Sequence, residues 1–143
     1  MRLFKQTIAV CVIMLSLWSV EGHSHSLKVT DSWARAVVEG QRVSAVYLTL
    51  ENASDKMIEV VDVESDVSRS AMFHLTQEQD GVARMLHQSS IQVPGENRVE
   101  FKPGGLHIML MGIKKPLSEG QTIELDLVLK NGEVIKAKVP VKK

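Results

Sequence analysis

From Leu27 onward the chain reads as short runs in which apolar and polar positions alternate, divided by clusters of turn-forming residues. Nine runs are rich in Val, Ile, Leu and Thr: LKVTDSWARAV, VSAVYLTLEN, MIEVVDVESD, SAMFHLTQ, VARMLHQSSIQV, NRVEFK, LHIMLMGI, TIELDLVLK and EVIKAKVPV. Between them lie Glu39-Gly40, Asn52 to Asp55, Asp80-Gly81, Pro94-Gly95, Pro103-Gly104-Gly105, Ser118 to Gly120 and Asn131-Gly132. Alternation with period two predicts half-buried strands, and these separators are where such strands turn. No segment carries a long apolar stripe at the 3.6-residue spacing, so little or no helix is expected. Short strands at this spacing build a sandwich or a barrel.

Side-chain matching sets the register of the last hairpin. A two-residue Asn131-Gly132 loop would set Leu125 and Leu127 against Lys138 and Lys136, apolar beside charged on both faces. A three-residue loop, Lys130 to Gly132 with Gly132 left-handed, instead pairs Ile123, Leu125 and Leu127 with Val139, Ala137 and Ile135. The three-residue loop is therefore predicted. Val93-Pro94-Gly95-Glu96 and Lys102-Pro103-Gly104-Gly105 both read as type II turns, with proline presetting φ and glycine taking the positive φ.

Met1 to Gly22 has a short basic start (Arg2, Lys5), an apolar run from Ile8 to Trp18, and then small or polar residues. That run is too short to cross a bilayer and has the anatomy of a secretory signal. The expected organisation is a signal peptide over 1–22 and one domain over 23–143, periplasmic and without stable membrane insertion. The only cysteine, Cys11, lies inside the apolar run and leaves with it. A mature chain without thiols has no disulfide framework, cysteine nucleophile or thiol redox couple. Loss of Arg2, Lys5 and Glu21 leaves 15 basic residues against 16 acidic. So balanced a chain has no electrostatic footprint for nucleic acid or an anionic membrane.

The candidate chemistry lies between Met72 and Met111. Of the five methionines beyond the first twenty residues, Met72, Met85, Met109 and Met111 fall in this window beside His74, His87 and His107. Thioether sulfur is soft and neutral imidazole borderline, a donor mixture suited to Cu(I). In the strand after Gly105, His107, Met109 and Met111 share one face, with His107 and Met109 about 7 Å apart at Cα. His74 shares a face with Met85 if the Asp80-Gly81 loop is even in length, directly opposite for four residues and diagonal for two. Packing is the alternative role of these methionines, because methionine fills gaps in most interiors. Met72, Met111 and His87 are spares, read as core filling and a solvated hairpin position.

These residues resemble a known signature. The spacing His74, ten residues, Met85, twenty-one residues, His107, one residue, Met109 is similar to that of periplasmic copper chaperones of the PCuAC type. The flank KPGGLHIMLMGIKKPL, WARA at Trp33 to Ala36 and AVYLTLEN at Ala45 to Asn52 also look like that family, so the resemblance spans the whole mature chain. Leu75 departs from it, since many members carry a methionine at or near that position. The resemblance implies an all-β, cupredoxin-like or immunoglobulin-like antiparallel sandwich that binds one Cu(I) through His74, Met85, His107 and Met109. It also implies delivery to a copper-accepting protein, such as the dinuclear copper site in cytochrome c oxidase subunit II or a Sco-type protein. A blue-copper electron carrier is excluded, because its site needs a thiolate.

Two other classes compete. One is a secreted β-sandwich interaction module in which His and Met are packing. The other is a copper enzyme using the amino terminus: cleavage after Gly22 would expose His23-Ser24-His25, where amine, amides and the third-position imidazole can wrap Cu(II) in a square plane. No second motif supports the latter, and no His, Ser or Asp grouping suggests a hydrolase, so the chain is read as a carrier and not an enzyme.

Overall fold

A computed structural model of the chain describes residues 26–143. The expected signal peptide over 1–22, Cys11 and the His23 and His25 pair lie outside the described residues. Ten strands occur among those described: β1 (Leu27–Arg35), β2 (Val43–Asn52), β3 (Ile58–Ser65), β4 (Ser70–Gln79), β5 (Val82–Gln88), β6 (Ile91–Val93), β7 (Asn97–Glu100), β8 (Leu106–Met111), β9 (Thr122–Leu129) and β10 (Val134–Lys142). None of the described residues is helical.

The strands follow the order β5-β4-β8-β2-β1-β10-β9-β3-β6, with β7 also pairing β2. The β5-β4-β8-β2-β1 half and the β10-β9-β3-β6 half close on one core, so the fold is a cupredoxin-like sandwich. One side of β2, β8, β9 and β10 is buried. Val46, Leu48, Leu50, Phe73, Ile108 and Leu110 from the first half meet Val60, Val63, Ile123, Leu125, Leu127 and Val139 from the second. The halves join where β1 pairs β10 through Ala34–Val141 and Arg35–Lys142. That ladder is parallel, a departure from the all-antiparallel expectation.

The β9–β10 hairpin has the predicted register, with Ile135 opposite Leu127, Ala137 opposite Leu125 and Val139 opposite Ile123. Leu129 N donates to Glu133 O at 2.8 Å, which closes a three-residue loop, and Gly132 has φ 89°. At Lys102 to Gly105 the expected turn forms, with Gly104 at φ 79° and Gly105 N donating to Lys102 O at 3.0 Å.

Two further expectations are corrected. The run from Val82 to Val93 is not one strand: β5 pairs β4 in one layer, whereas β6 pairs β3 in the other. Ser89 and Ser90 carry the chain across, because Ile91 and Val93 are buried in the core. At Pro94-Gly95 the positive φ belongs to Glu96, at 54°, not to Gly95. Gly95 is required for another reason, since a Cβ there would collide with the Asp55 carbonyl.

Candidate metal centre

The site face is the outer surface of β5, β4, β8 and β2, built by the same alternation that buries the inner one. In β8, Ile108 and Leu110 point into the core, so His107, Met109 and Met111 point away from it. Register then assembles the neighbours. His74 stands opposite His107 and Met72 opposite Met109 across the β4–β8 ladder. Across β4–β5, His87 stands opposite His74, and Met85 opposite Thr76.

The second of these ladders depends on one turn. Gln79 pairs with Val82, leaving Asp80 and Gly81 as a two-residue loop. Both have positive φ, 54° and 74°, the requirement of a type I′ turn. An even loop keeps Met85 on the face of His74, and two residues make the pair diagonal. The same register puts His87, exposed on the hairpin as expected, directly opposite His74.

Three imidazoles therefore form a row. The His74 ring is 5.9 Å from that of His107 at 83° and 5.8 Å from that of His87 at 89°, both edge-to-face. His107 is buried, with 6% of its surface exposed. Its Nδ1 lies 3.1 Å from Gly105 O. A carbonyl only accepts, so the neutral ring carries its proton on Nδ1 and presents a free lone pair at Nε2. His74 is half-buried, and its Nδ1 is out of contact with solvent and has no hydrogen-bond partner. Burial first, and then the neighbouring His107 and His87, hold its pKa below the ordinary histidine value. A buried nitrogen without a partner, on a ring that resists protonation, is a donor lacking its acceptor.

The methionines are placed unequally. Met109 is half-buried between Met72 on β4 and Ala45 on β2. Met85 is 61% exposed on the outermost strand. The two lie on opposite diagonals of His74, so a flat sheet would hold their Cα atoms roughly 16 Å apart. Register alone therefore does not bring the two sulfurs together; a shared ion would require extended thioether arms together with strand twist and curling of the β4–β5 hairpin. Among the described residues no group of three or more His, Cys, Asp or Glu side chains converges to hold a metal. Imidazoles and carboxylates alone therefore do not complete a site here. Thioether sulfur is the further donor that the side chains of this face offer, from Met72, Met85, Met109 and Met111.

Beyond β8, the rings of Trp33 and Tyr47 lie 4.7 Å apart, tilted by 42°, and Arg35 Nη2 donates to Tyr47 Oη at 3.3 Å. A bulge in β1 brings Trp33 opposite Tyr47: the register shifts between Thr30 and Trp33, with Asp31 at φ 50°.

Comparison with known proteins places this geometry. The family model described as "Putative lipoprotein LpqE-like" matches residues 27–141. "Putative lipoprotein Lxx21020" of Leifsonia xyli is 32% identical over 117 residues, covering 81% of this chain and 69% of the relative. An uncharacterized protein of Rickettsia prowazekii, RP573, is 33% identical over 97 residues, covering 65% of this chain and 54% of the relative. Among solved structures, the copper-bound PCuAC domain from PmoF2 superposes with a TM-score of 0.69 at 26% identity, covering 82% of this chain and 92% of that one. The solution structure of Cu(I)-DR1885 from Deinococcus radiodurans gives 0.64 at 29% identity, covering 87% and 85%.

Proposed function

The chain belongs to the LpqE-like family, and from that membership and the donors on its outer sheet face we propose that it is an extracytoplasmic Cu(I) carrier. The ion is its cargo, held by His74, Met85, His107 and Met109 and passed on to a copper-accepting protein. The observation that carries this reading is the unpartnered, buried Nδ1 of His74 beside His107, whose Nε2 is left free, with Met109 next along β8. Copper-bound relatives of the same fold, at 26% and 29% identity, support the identity of the ion.

The chemistry of the donors agrees with a carrier. None of the four is anionic, so the ion's charge stays uncompensated and a monovalent ion is favoured over Cu(II) by softness and electrostatics alike. Thioethers do not protonate, so acid weakens binding only through the two histidines. Without a thiolate the site is unsuited to shuttle electrons, and transfer means moving the ion by ligand exchange. Exposed Met85 is the donor that an acceptor meets first, and buried His107 the one released last. Cytochrome c oxidase subunit II and Sco-type proteins are the acceptors proposed, and a secretory leader over 1–22 delivers the chain to the periplasm. A Cu(II) site at His23 and His25 stays a separate proposal.

Titration with Cu(I) against a chelator of known affinity tests the reading. One equivalent bound by the secreted chain, and lost in both His107→Ala and Met109→Ala, is expected. Failure to compete at all would leave the face as packing.

A further inference from the structure

β5 is an edge strand whose free side belongs to the site. It pairs with β4 alone, and Val82 to His87 are exposed on both faces, including Val82 at 55% and Leu86 at 42%. Which backbone groups are free follows from the ladder. Thr76 N donates to Gly105 O at 3.0 Å, so Thr76 turns its amide toward β8 and its pairing with Met85 is a non-hydrogen-bonded one. By alternation the same holds for Glu78 with Ala83 and for His74 with His87. The N–H and C=O groups of Ala83, Met85 and His87 therefore point outward, away from β4. His87 O is touched only by the Gln88 side-chain amide, at 3.3 Å.

We propose that this edge pairs with β5 of a second copy of the chain, antiparallel, about a two-fold axis at Met85. Side-chain chemistry selects both the occupant and the register. Pairing centred on Arg84 would oppose two guanidinium groups, a like-charge contact that destabilises a sheet. Pairing centred on Leu86 runs Ala83 against Ser89, beyond the end of β5. Centred on Met85, Ala83 meets His87 of the other copy and Met85 meets Met85. All three outward-facing residues are then satisfied, with about six hydrogen bonds. Arg84, the strand's one charged residue, falls opposite Leu86 and can lay its stem along it. The smallest side chain of the strand faces its bulkiest ring. Such a pairing is isologous, covers an edge that would otherwise template aggregation, and sets a thioether of one copy roughly 5.5 Å from that of the other at Cα. The pairing rests on backbone and edge chemistry alone; its use for passing copper between copies rests on the Cu(I) reading.

Sedimentation of the copper-free chain, from micromolar to near-millimolar concentration, tests this together with Ala83→Pro. Proline at 83 removes an outward N–H and leaves the β4 ladder intact. A dimer of the native chain that weakens at least tenfold in Ala83→Pro, with one Cu(I) still bound per chain, is expected. A native chain monomeric throughout, or an Ala83→Pro chain that dimerises equally, overturns the proposal. Should Ala83→Pro lose its β spectrum, cysteine trapping in a Cys11→Ser background decides. Arg84→Cys mixed with Leu86→Cys should form a disulfide faster than either alone, whereas equal or slower mixed crosslinking refutes the register and the dimer with it. A dimer that forms while no chain binds Cu(I) would remove the copper reading and leave the pairing standing.

Discussion

The two faces of β8 share one backbone and one hydrogen-bond ladder, and their side chains serve opposite ends. Ile108 and Leu110 are fully buried against the second layer, where each apolar side chain contributes about 1.5 to 3 kcal/mol of stability. His107 and Met109, one residue away on either side of Ile108, contribute little that an alkyl chain could not. Their atoms are instead kept available: the Nε2 of His107 free, the Nδ1 of His74 unpartnered, the sulfur of Met109 half-buried. Period two thus separates stability from chemistry within six residues. The inner face makes the strand rigid, and in the proposed carrier the outer face uses that rigidity to hold donors in place.

Breaking the inner face should have the largest effect. Leu110→Ala is expected to cost about 2 to 5 kcal/mol in denaturant unfolding, while the folded fraction keeps its copper stoichiometry; loss of copper binding without loss of stability would erase the contrast. Next comes the outer face. His107→Ala should weaken Cu(I) binding on the order of a hundredfold, about 2.7 kcal/mol, with a melting temperature close to the native value in the copper-free form. Met85→Ala should have a smaller effect than Met109→Ala, on the order of tenfold, because its donor comes from the exposed edge and must be drawn in; chelator competition ranks the two.

The smallest effect is on proton binding. His74 is held below the ordinary histidine pKa by burial and then by His107 and His87, so its folded form stays neutral where an unfolded chain already takes a proton. The copper-free chain should therefore lose a little stability as pH falls through about 6.5, where the unfolded histidine titrates, and lose no more once pH is below the folded value. NMR titration of the His74 ring checks this. His107→Gln should move its midpoint upward; a midpoint that stays put would mean that burial alone sets it.

Much of the fold was legible because alternation and turn chemistry are local. The β9–β10 register followed from matching Leu125 and Leu127 against Ala137 and Ile135, and Asp80-Gly81 marked an even turn while leaving its length open between two and four residues. The division of Val82 to Val93 into β5 and β6 was not legible, because no glycine or proline marks the crossing and only the partners of Ile91 and Val93 decide it. Gly95 was assigned the wrong reason, since close approach of Asp55 is a tertiary fact. The bulge at Asp31, which turns Trp33 toward Tyr47, left no mark in the pattern. On the outer face, the shared orientation of His107 and Met109 could be read from β8 alone. The place of His87 directly opposite His74 was left open, because it follows only once the loop has two residues.

X-ray absorption at the copper edge of the Cu(I)-loaded secreted chain tests the central claim most directly. The account predicts two sulfur and two nitrogen neighbours around a single reduced ion, with one sulfur lost in Met85→Ala and one in Met109→Ala. A copper shell of nitrogen and oxygen only, unchanged in either variant, would contradict it.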